Sequence, residues 1–206
     1  MNKEALKFVA ALVIILAAVG GVLRAFFVTP LVVAHDGMAP TLLAGDTVLI
    51  WNGQGEPEFG SIAVCRHPAY PNRFVLGRYV AQEGWTVTST RGVIEFNGRH
   101  PARDTMGTEQ FTMYGDNHPN EVRLARVETT NRSYSVMQDA HRGVVVPTMP
   151  VHNGILLLGD NRLPHAYDSR SFRSVDPNTC IGTVFMRWKP APGRTQFDNG
   201  WLDTIH

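Results

Sequence analysis

The chain has 206 residues, with 19 lysines and arginines against 18 aspartates and glutamates and a formal charge of +1. That balance leaves no basic footprint for nucleic acid and no acidic tail. A content of 44% hydrophobic and 18% charged residues is globular rather than disordered, and two cysteines, Cys65 and Cys180, are too few for a disulfide-dense miniprotein or a cysteine-based zinc site.

The first predicted element is apolar. Phe8 to Leu23 carries no charge and no proline, and every proline lies at or beyond Pro30. As a helix this run is about 24 Å long, short of a hydrocarbon core of ~30 Å. Beyond Arg24, whose guanidinium can reach the interface while its stem stays apolar, Ala25-Phe26-Phe27-Val28 extends it. The reading is one N-terminal transmembrane helix, roughly Leu6 to Val28. A cleaved signal peptide is the main alternative, and a buried soluble helix the third. Lys3 and Lys7 precede the run, which places the N-terminus in the cytoplasm and the rest of the chain outside, where disulfides form.

After Pro30 the pattern is a succession of short β-type runs punctuated by Gly, Pro, Asn and Asp. They are Thr47–Trp51, Ser61–Cys65, Phe74–Leu76, Trp85–Thr90, Val93–Phe96, Tyr134–Met137, Val144–Val146, Ile155–Leu158 and Thr183–Trp188. Arg91-Gly92 and Asn97-Gly98 predict hairpin turns. The stretch from Gly98 to Val151 is more polar and irregular. The expected organisation is an anchor over residues 1–30, a first part of a β core over 31–97, an inserted subdomain over 98–151, and a second part of the core with a C-terminal tail over 152–206. The fold class is mainly β.

Three segments carry chemistry in pattern: Gly37-Met38-Ala39-Pro40-Thr41-Leu42, Leu76-Gly77-Arg78-Tyr79-Val80, and Gly159-Asp160-Asn161-Arg162 followed by Asp168-Ser169-Arg170. In this order, behind an apolar span ending Leu23-Arg24-Ala25-Phe26, they resemble bacterial type I signal peptidases. The likeness extends over most of the chain. It includes the Asn-Gly-bearing stretch Gly92–Asp104 and Ile181–Phe185 as a last core strand. The resemblance implies a signal-peptidase-like β fold with a small inserted subdomain, one N-terminal transmembrane helix, and a role at the outer membrane face on exported proteins.

The family's chemistry uses a serine nucleophile, a desolvated neutral lysine as base and an oxyanion hole. The serine position, just before Met38, is Gly37. The lysine position, just before Arg78, is Gly77. The oxyanion-assisting serine is replaced by His35, and the spacer Leu163–Tyr167, one residue longer than usual, holds no serine. The only lysines are Lys3, Lys7 and Lys189, so none lies between residues 8 and 188, and the first serine after Gly37 is Ser61. A serine–lysine dyad is absent. Loss of such a pair costs on the order of 10⁶ in turnover, which predicts a noncatalytic member.

His35, Asp36 and His165 could instead bind a metal or activate water. No HExxH-type spacing supports this, and the reading favours ordinary polar residues with no metal or other cofactor. Asp160, Arg162, Asp168 and Arg170, with Ser169, are read as an ion-pair network fixing a loop beside the site. Met38, Pro40, Phe74, Val75 and Leu76 are the candidate substrate-binding residues, flanking a groove that takes an extended peptide by strand addition. Cys65 and Cys180 pair or remain as two buried thiols. Trp51 and Trp188 belong to the core or to a membrane interface. The leading function is a pseudopeptidase that binds signal-peptide-like segments in secretion. The rivals are an active signal-peptide endopeptidase with a non-standard site and a structural membrane subunit. Expected partners are membrane lipid, through the N-terminal helix, and signal peptides or exported proteins; no nucleic acid is expected.

Overall fold

The computed structural model describes residues 3–53, 56–129, 132–164, 167–193, 197 and 202–205. Helix α1 (Lys3–Phe27) has 25 residues and is therefore about 37 Å long, enough to cross a bilayer. It is the one helix among the described residues that is long and apolar enough to do so. It begins earlier than the apolar run because Lys3 and Lys7 continue the helical turn, and it stops at Phe27 because Val28 already pairs with Trp51.

The main sheet is antiparallel. Its strands are β1 (Val28–Val32), β2 (Thr47–Trp51), β3 (Ile62–Arg66) and β4 (Phe74–Gln82) from the first part of the chain. A hairpin follows, β5 (Thr86–Thr90) and β6 (Val93–Phe96), then three longer strands, β7 (Ala102–Phe111), β8 (Asn120–Glu128) and β9 (Ser133–Asp139). The chain returns through β10 (Met149–Pro150), β11 (Ile155–Leu158), the single-turn helix α2 (Ser169–Phe172), β12 (Cys180–Lys189) and β13 (Asp203–Thr204). The main sheet runs β1-β2-β12-β3-β4-β11 with β13 on β12. Two three-stranded sheets, β10-β5-β6 and β7-β8-β9, complete the fold.

Alternation explains the main sheet. In β2, Val48 and Ile50 face inward and join Ile62, Val64 and Val184 in one buried cluster. The predicted turns form where positive φ is needed: Arg91 (52°) and Gly92 (77°) close β5–β6, and Asn97 (51°) and Gly98 (73°) turn the chain after β6. This is the backbone that Asn-Gly pairs supply at low cost. Cys65 and Cys180, left open in sequence, form a disulfide between the paired strands β3 and β12.

At the foot of α1, Phe27 stacks on Trp51 with ring centroids 5.6 Å apart, and Trp51 meets Phe185 edge-on. Trp51 and Trp188 are exposed, so neither is a core residue. Val144–Val146 forms no strand. Val144 and Val146 pack beneath the hairpin, where the Val146 N–H donates to Ser89 Oγ at 2.8 Å. The separate sheet β7-β8-β9 lies within the stretch expected as an insertion, and β10 rejoins β5 at its end.

Candidate functional site

The loop between β1 and β2 carries the first segment. His35 caps a 3-10 turn over Asp36–Met38, its Nδ1 accepting the Gly37 N–H at 3.1 Å. Asp36 is buried, and its carboxylate accepts the N–H groups of Ala44 at 2.8 Å and Tyr114 at 2.6 Å. Asp46 does the same for Leu43 and Ala191. Both carboxylates are therefore structural anchors for a tight loop. Met38 is fully buried and Pro40 is buried, so both support the site from beneath and expose no surface to a substrate.

Gly77 lies in β4 opposite Ala63. A Cβ at Gly77 would stand 2.9 Å from Leu157 Cβ and 3.2 Å from the Leu157 carbonyl carbon. Leu157 is fully buried and sits where the β4–β11 register slips between Leu156 and Leu157, so it fills the space that a side chain from position 77 would enter. At Gly37 a Cβ would meet only the His35 ring, 2.8 Å from Cε1 and Nδ1, and a ring can rotate away.

The third segment ties the other two together. Asp160 accepts Arg78 Nε at 2.8 Å and Nη2 at 2.7 Å, and Thr41 Oγ1 donates to it at 2.6 Å. Arg78 and Asp160 have fully buried side chains. Arg78 also donates to the Gly60 carbonyl at 2.7 Å and lies 4.0 Å over the Tyr134 ring. Burial works against the charged form of Arg78, but the Asp160 carboxylate outweighs it and raises the arginine above its ordinary pKa. This bidentate, charge-assisted pair spans all three segments.

Around it the loop closes on Gly37. The Asn161 N–H donates to the Gly37 carbonyl at 3.1 Å, and Asn161 Nδ2 to the Asp36 carbonyl at 3.0 Å. Gly159 must be glycine, because a Cβ there would collide with the Gly37 carbonyl oxygen. Asp168 accepts the Gly159 N–H at 2.8 Å and pairs with Arg170, which also donates to the Arg162 and Asn161 carbonyls. Ser169 Oγ accepts the Leu157 N–H at 2.9 Å. The four charges thus form no single network. Asp160 and Asp168 have separate partners, and Arg162, buried, has no hydrogen bond at Nε or Nη1.

The His35 ring packs against that of Tyr167 at a tilt of 41°, with centroids 5.0 Å apart. Burial lowers its pKa, against the opposing charges of Asp36 and Asp168. With Nδ1 accepting from Gly37, the neutral ring carries its proton on Nε2. His165 lies outside the described residues. Among the described residues no three of His, Cys, Asp and Glu converge as a metal-binding group.

Two strands of the main sheet leave an edge open. β1 ends the main sheet, and β4 meets β11 only from Arg78 onward. Among the described residues no strand covers the outer edge from Phe74 to Gly77. Leu31 on β1 and Leu76 on β4, both half-buried, lean on the one cluster that contains Met38. Phe74 is exposed and Val75 buried. Of the predicted substrate-binding residues, Phe74 and Leu76 reach the surface. Leu31 was missed in sequence, where it opens the first part of the β core outside any motif. Arg187 was also missed. Buried in β12, it donates to the Thr41 carbonyl at 2.9 Å, a contact that no local spacing announces.

The class of protein is a mainly β domain, its three loop segments locked by a buried Arg–Asp pair, behind an apolar helix long enough to cross a membrane. The family model described as signal peptidase, peptidase S26, matches residues 5–189. The chain is 26% identical to a signal peptidase I of Pseudomonas aeruginosa and 29% identical to one of Pseudomonas fluorescens, in each case over 93% of this chain and 76% of the relative. A crystal structure of a signal peptidase I from Enterococcus faecalis matches 64% of this chain and 98% of its own, with 21% identity and a TM-score of 0.36. The chain belongs to the signal peptidase S26 family.

Proposed function

We propose that this chain is a noncatalytic signal-peptidase-like membrane protein that binds extended, signal-peptide-like segments during protein secretion without cutting them. The observation that carries this reading is the pair Gly37 and Gly77 in a chain with no lysine from residue 8 to 188. Leu157 packed against Gly77 supports it, since the room for a base is already filled. The open edges of β1 and β4 over a shared apolar floor support binding, because main-chain pairing of an added strand needs no dyad.

In this reading α1 is a single-pass anchor in the cytoplasmic membrane, with Lys3 and Lys7 on the cytoplasmic side and the β domain on the periplasmic or outer side. Lipid is its partner through α1. Signal peptides or exported proteins are its partners through the groove. Ordering an extended peptide costs entropy, so the affinity is roughly micromolar or weaker.

The test places a photo-crosslinking residue at Phe74 or Leu76 in the full chain, held in detergent micelles, and adds a preprotein. Crosslinked adduct without processed product is the expected result. Processing that disappears in the His35→Ala variant would instead establish an active peptidase with a non-standard site. No adduct from either position, in protein shown to be folded, would leave a structural subunit.

A further inference from the structure

A small cavity of about 30 Å³ lies in the seam between the hairpin β5–β6 and the sheet β7-β8-β9. Val93 and Phe96 from the hairpin and Val127 and Val136 from the sheet form apolar walls, and Arg103 and Arg162 reach it. No acidic residue is among those lining it.

Arg162 is 4% exposed, and neither Nε nor Nη1 has a hydrogen-bond partner. The carboxylates that could have answered it are engaged elsewhere, Asp160 by Arg78 and Thr41 and Asp168 by Arg170. Burial lowers the pKa of Arg162 against the opposing influence of Tyr134 and Asp160. Burial and Arg123 lower that of Arg103. A buried guanidinium with unanswered N–H groups is a costly arrangement, and an anion that enters the cavity relieves it.

We propose that this seam is a binding site for a small apolar carboxylate, held at its charged end by Arg162 with Arg103 beside it and at its apolar end by Val93, Phe96, Val127 and Val136. The planar guanidinium offers paired N–H groups that match two carboxylate oxygens. The flat carboxylate lies against the planar guanidinium and its alkyl chain along the apolar walls, which offer nothing to a tetrahedral dianion or to chloride. The carboxylate comes from a free short-chain acid or from the C-terminus of a peptide.

The test uses the full chain in neutral detergent at neutral pH and follows its melting temperature. Sodium butyrate is compared with butyramide and with sodium chloride at equal ionic strength, and an acetylated alanine tripeptide with a free C-terminus is compared with its amide. Butyrate at ten times its Kd should raise the midpoint by about 3 °C, while butyramide and chloride leave it in place. A response to the free-acid tripeptide at lower concentration than to butyrate would assign the carboxylate to a chain terminus. A response to butyrate alone would assign it to a free acid. Arg162→Met should abolish the shift. Arg103→Gln, at a half-buried position, should raise the apparent Kd about fivefold and carries the test if Arg162→Met does not fold. Equal shifts with chloride, a butyrate shift that survives Arg162→Met, an unchanged Kd in Arg103→Gln, or no response to any carboxylate would overturn the proposal.

Discussion

Beneath Gly37, Asp160 holds Arg78 and Thr41, Asp168 holds Arg170 and the Gly159 N–H, and Asn161 holds the main chain of residues 36 and 37. Beside Gly37, the edges of β1 and β4 offer Leu31, Phe74 and Leu76, each half-buried or exposed. The two regions tolerate change differently. Deleting one member of a buried charge pair strands the other in a medium that cannot solvate it. Replacing a groove side chain by glycine leaves no orphan, because the space is refilled or opens to water. The Gly159–Arg162 and Asp168–Arg170 stretches can therefore persist in a chain with glycine at positions 37 and 77, because stability alone is enough to hold them.

The sharpest way to break this contrast is Asp160→Ala. It leaves Arg78 buried and uncompensated, and the expected loss of unfolding free energy is about 3–5 kcal/mol, read from urea denaturation of the full chain in detergent. Replacing both members, Arg78→Met with Asp160→Leu, should recover most of it. A loss below about 1 kcal/mol for the single variant, the range of an exposed pair, would show that the loop does not depend on its buried pair.

A smaller effect is expected at the groove side. Gly77→Lys should destabilise by about 1–3 kcal/mol through overpacking against Leu157, and Leu157→Ala in the same chain should relieve part of that. Gly37→Ser with Gly77→Lys should cleave a preprotein weakly at most. The supporting hydroxyl at position 35 is missing, so the oxyanion is only partly supported. Family-level turnover from that double variant alone would mean that a lysine at 77 finds room which the packing of Leu157 denies it.

The smallest effect concerns His35. Its folded pKa lies below the ordinary 6.5, so the unfolded chain binds the proton more readily than the folded one. The resulting contribution is present above pH 6.5 and is lost as the pH falls through the folded pKa. His35→Gln should flatten this acid-side slope in a stability-versus-pH series without changing the neutral-pH value greatly. An unaltered slope in the variant would place the titration elsewhere.

The fold was legible where burial imposes a pattern. β2, β6 and β11 coincide with runs read from the sequence, because their β-branched and apolar residues are bounded by Gly, Asn or Asp. β7 and β8 were not foreseen. β7 is exposed at most of its positions, so its strand state comes from pairing with β8, which leaves no alternation to detect. Val144–Val146 erred in the opposite direction, since an apolar triplet can pack beneath a hairpin without a ladder. At the site, the resemblance to type I signal peptidases located Gly37 and Gly77, through Met38–Leu42 and Arg78 beside them. Spacing grouped Asp160 with Arg162, two residues away, whereas the chain pairs Asp160 with Arg78, 82 positions distant. Leu157 was unreadable as an obstacle, because only the register slip in β11 brings it against Gly77.

The place of β12 in the main sheet sets the order in which this molecule can be made. β2 and β3 are near in sequence, but they are not neighbours; β12 lies between them, and the disulfide fastens it to β3. Until Cys180–Lys189 has left the ribosome, the early strands β1-β2 and the pair β3-β4 are two fragments with bare facing edges. Contacts this distant in sequence form late and slowly, and bare edges invite pairing with the wrong chain. Strand β12 therefore acts as the keystone: a nascent chain interrupted before residue 180 holds β1 to β11 and none of the closure that joins β2 to β3.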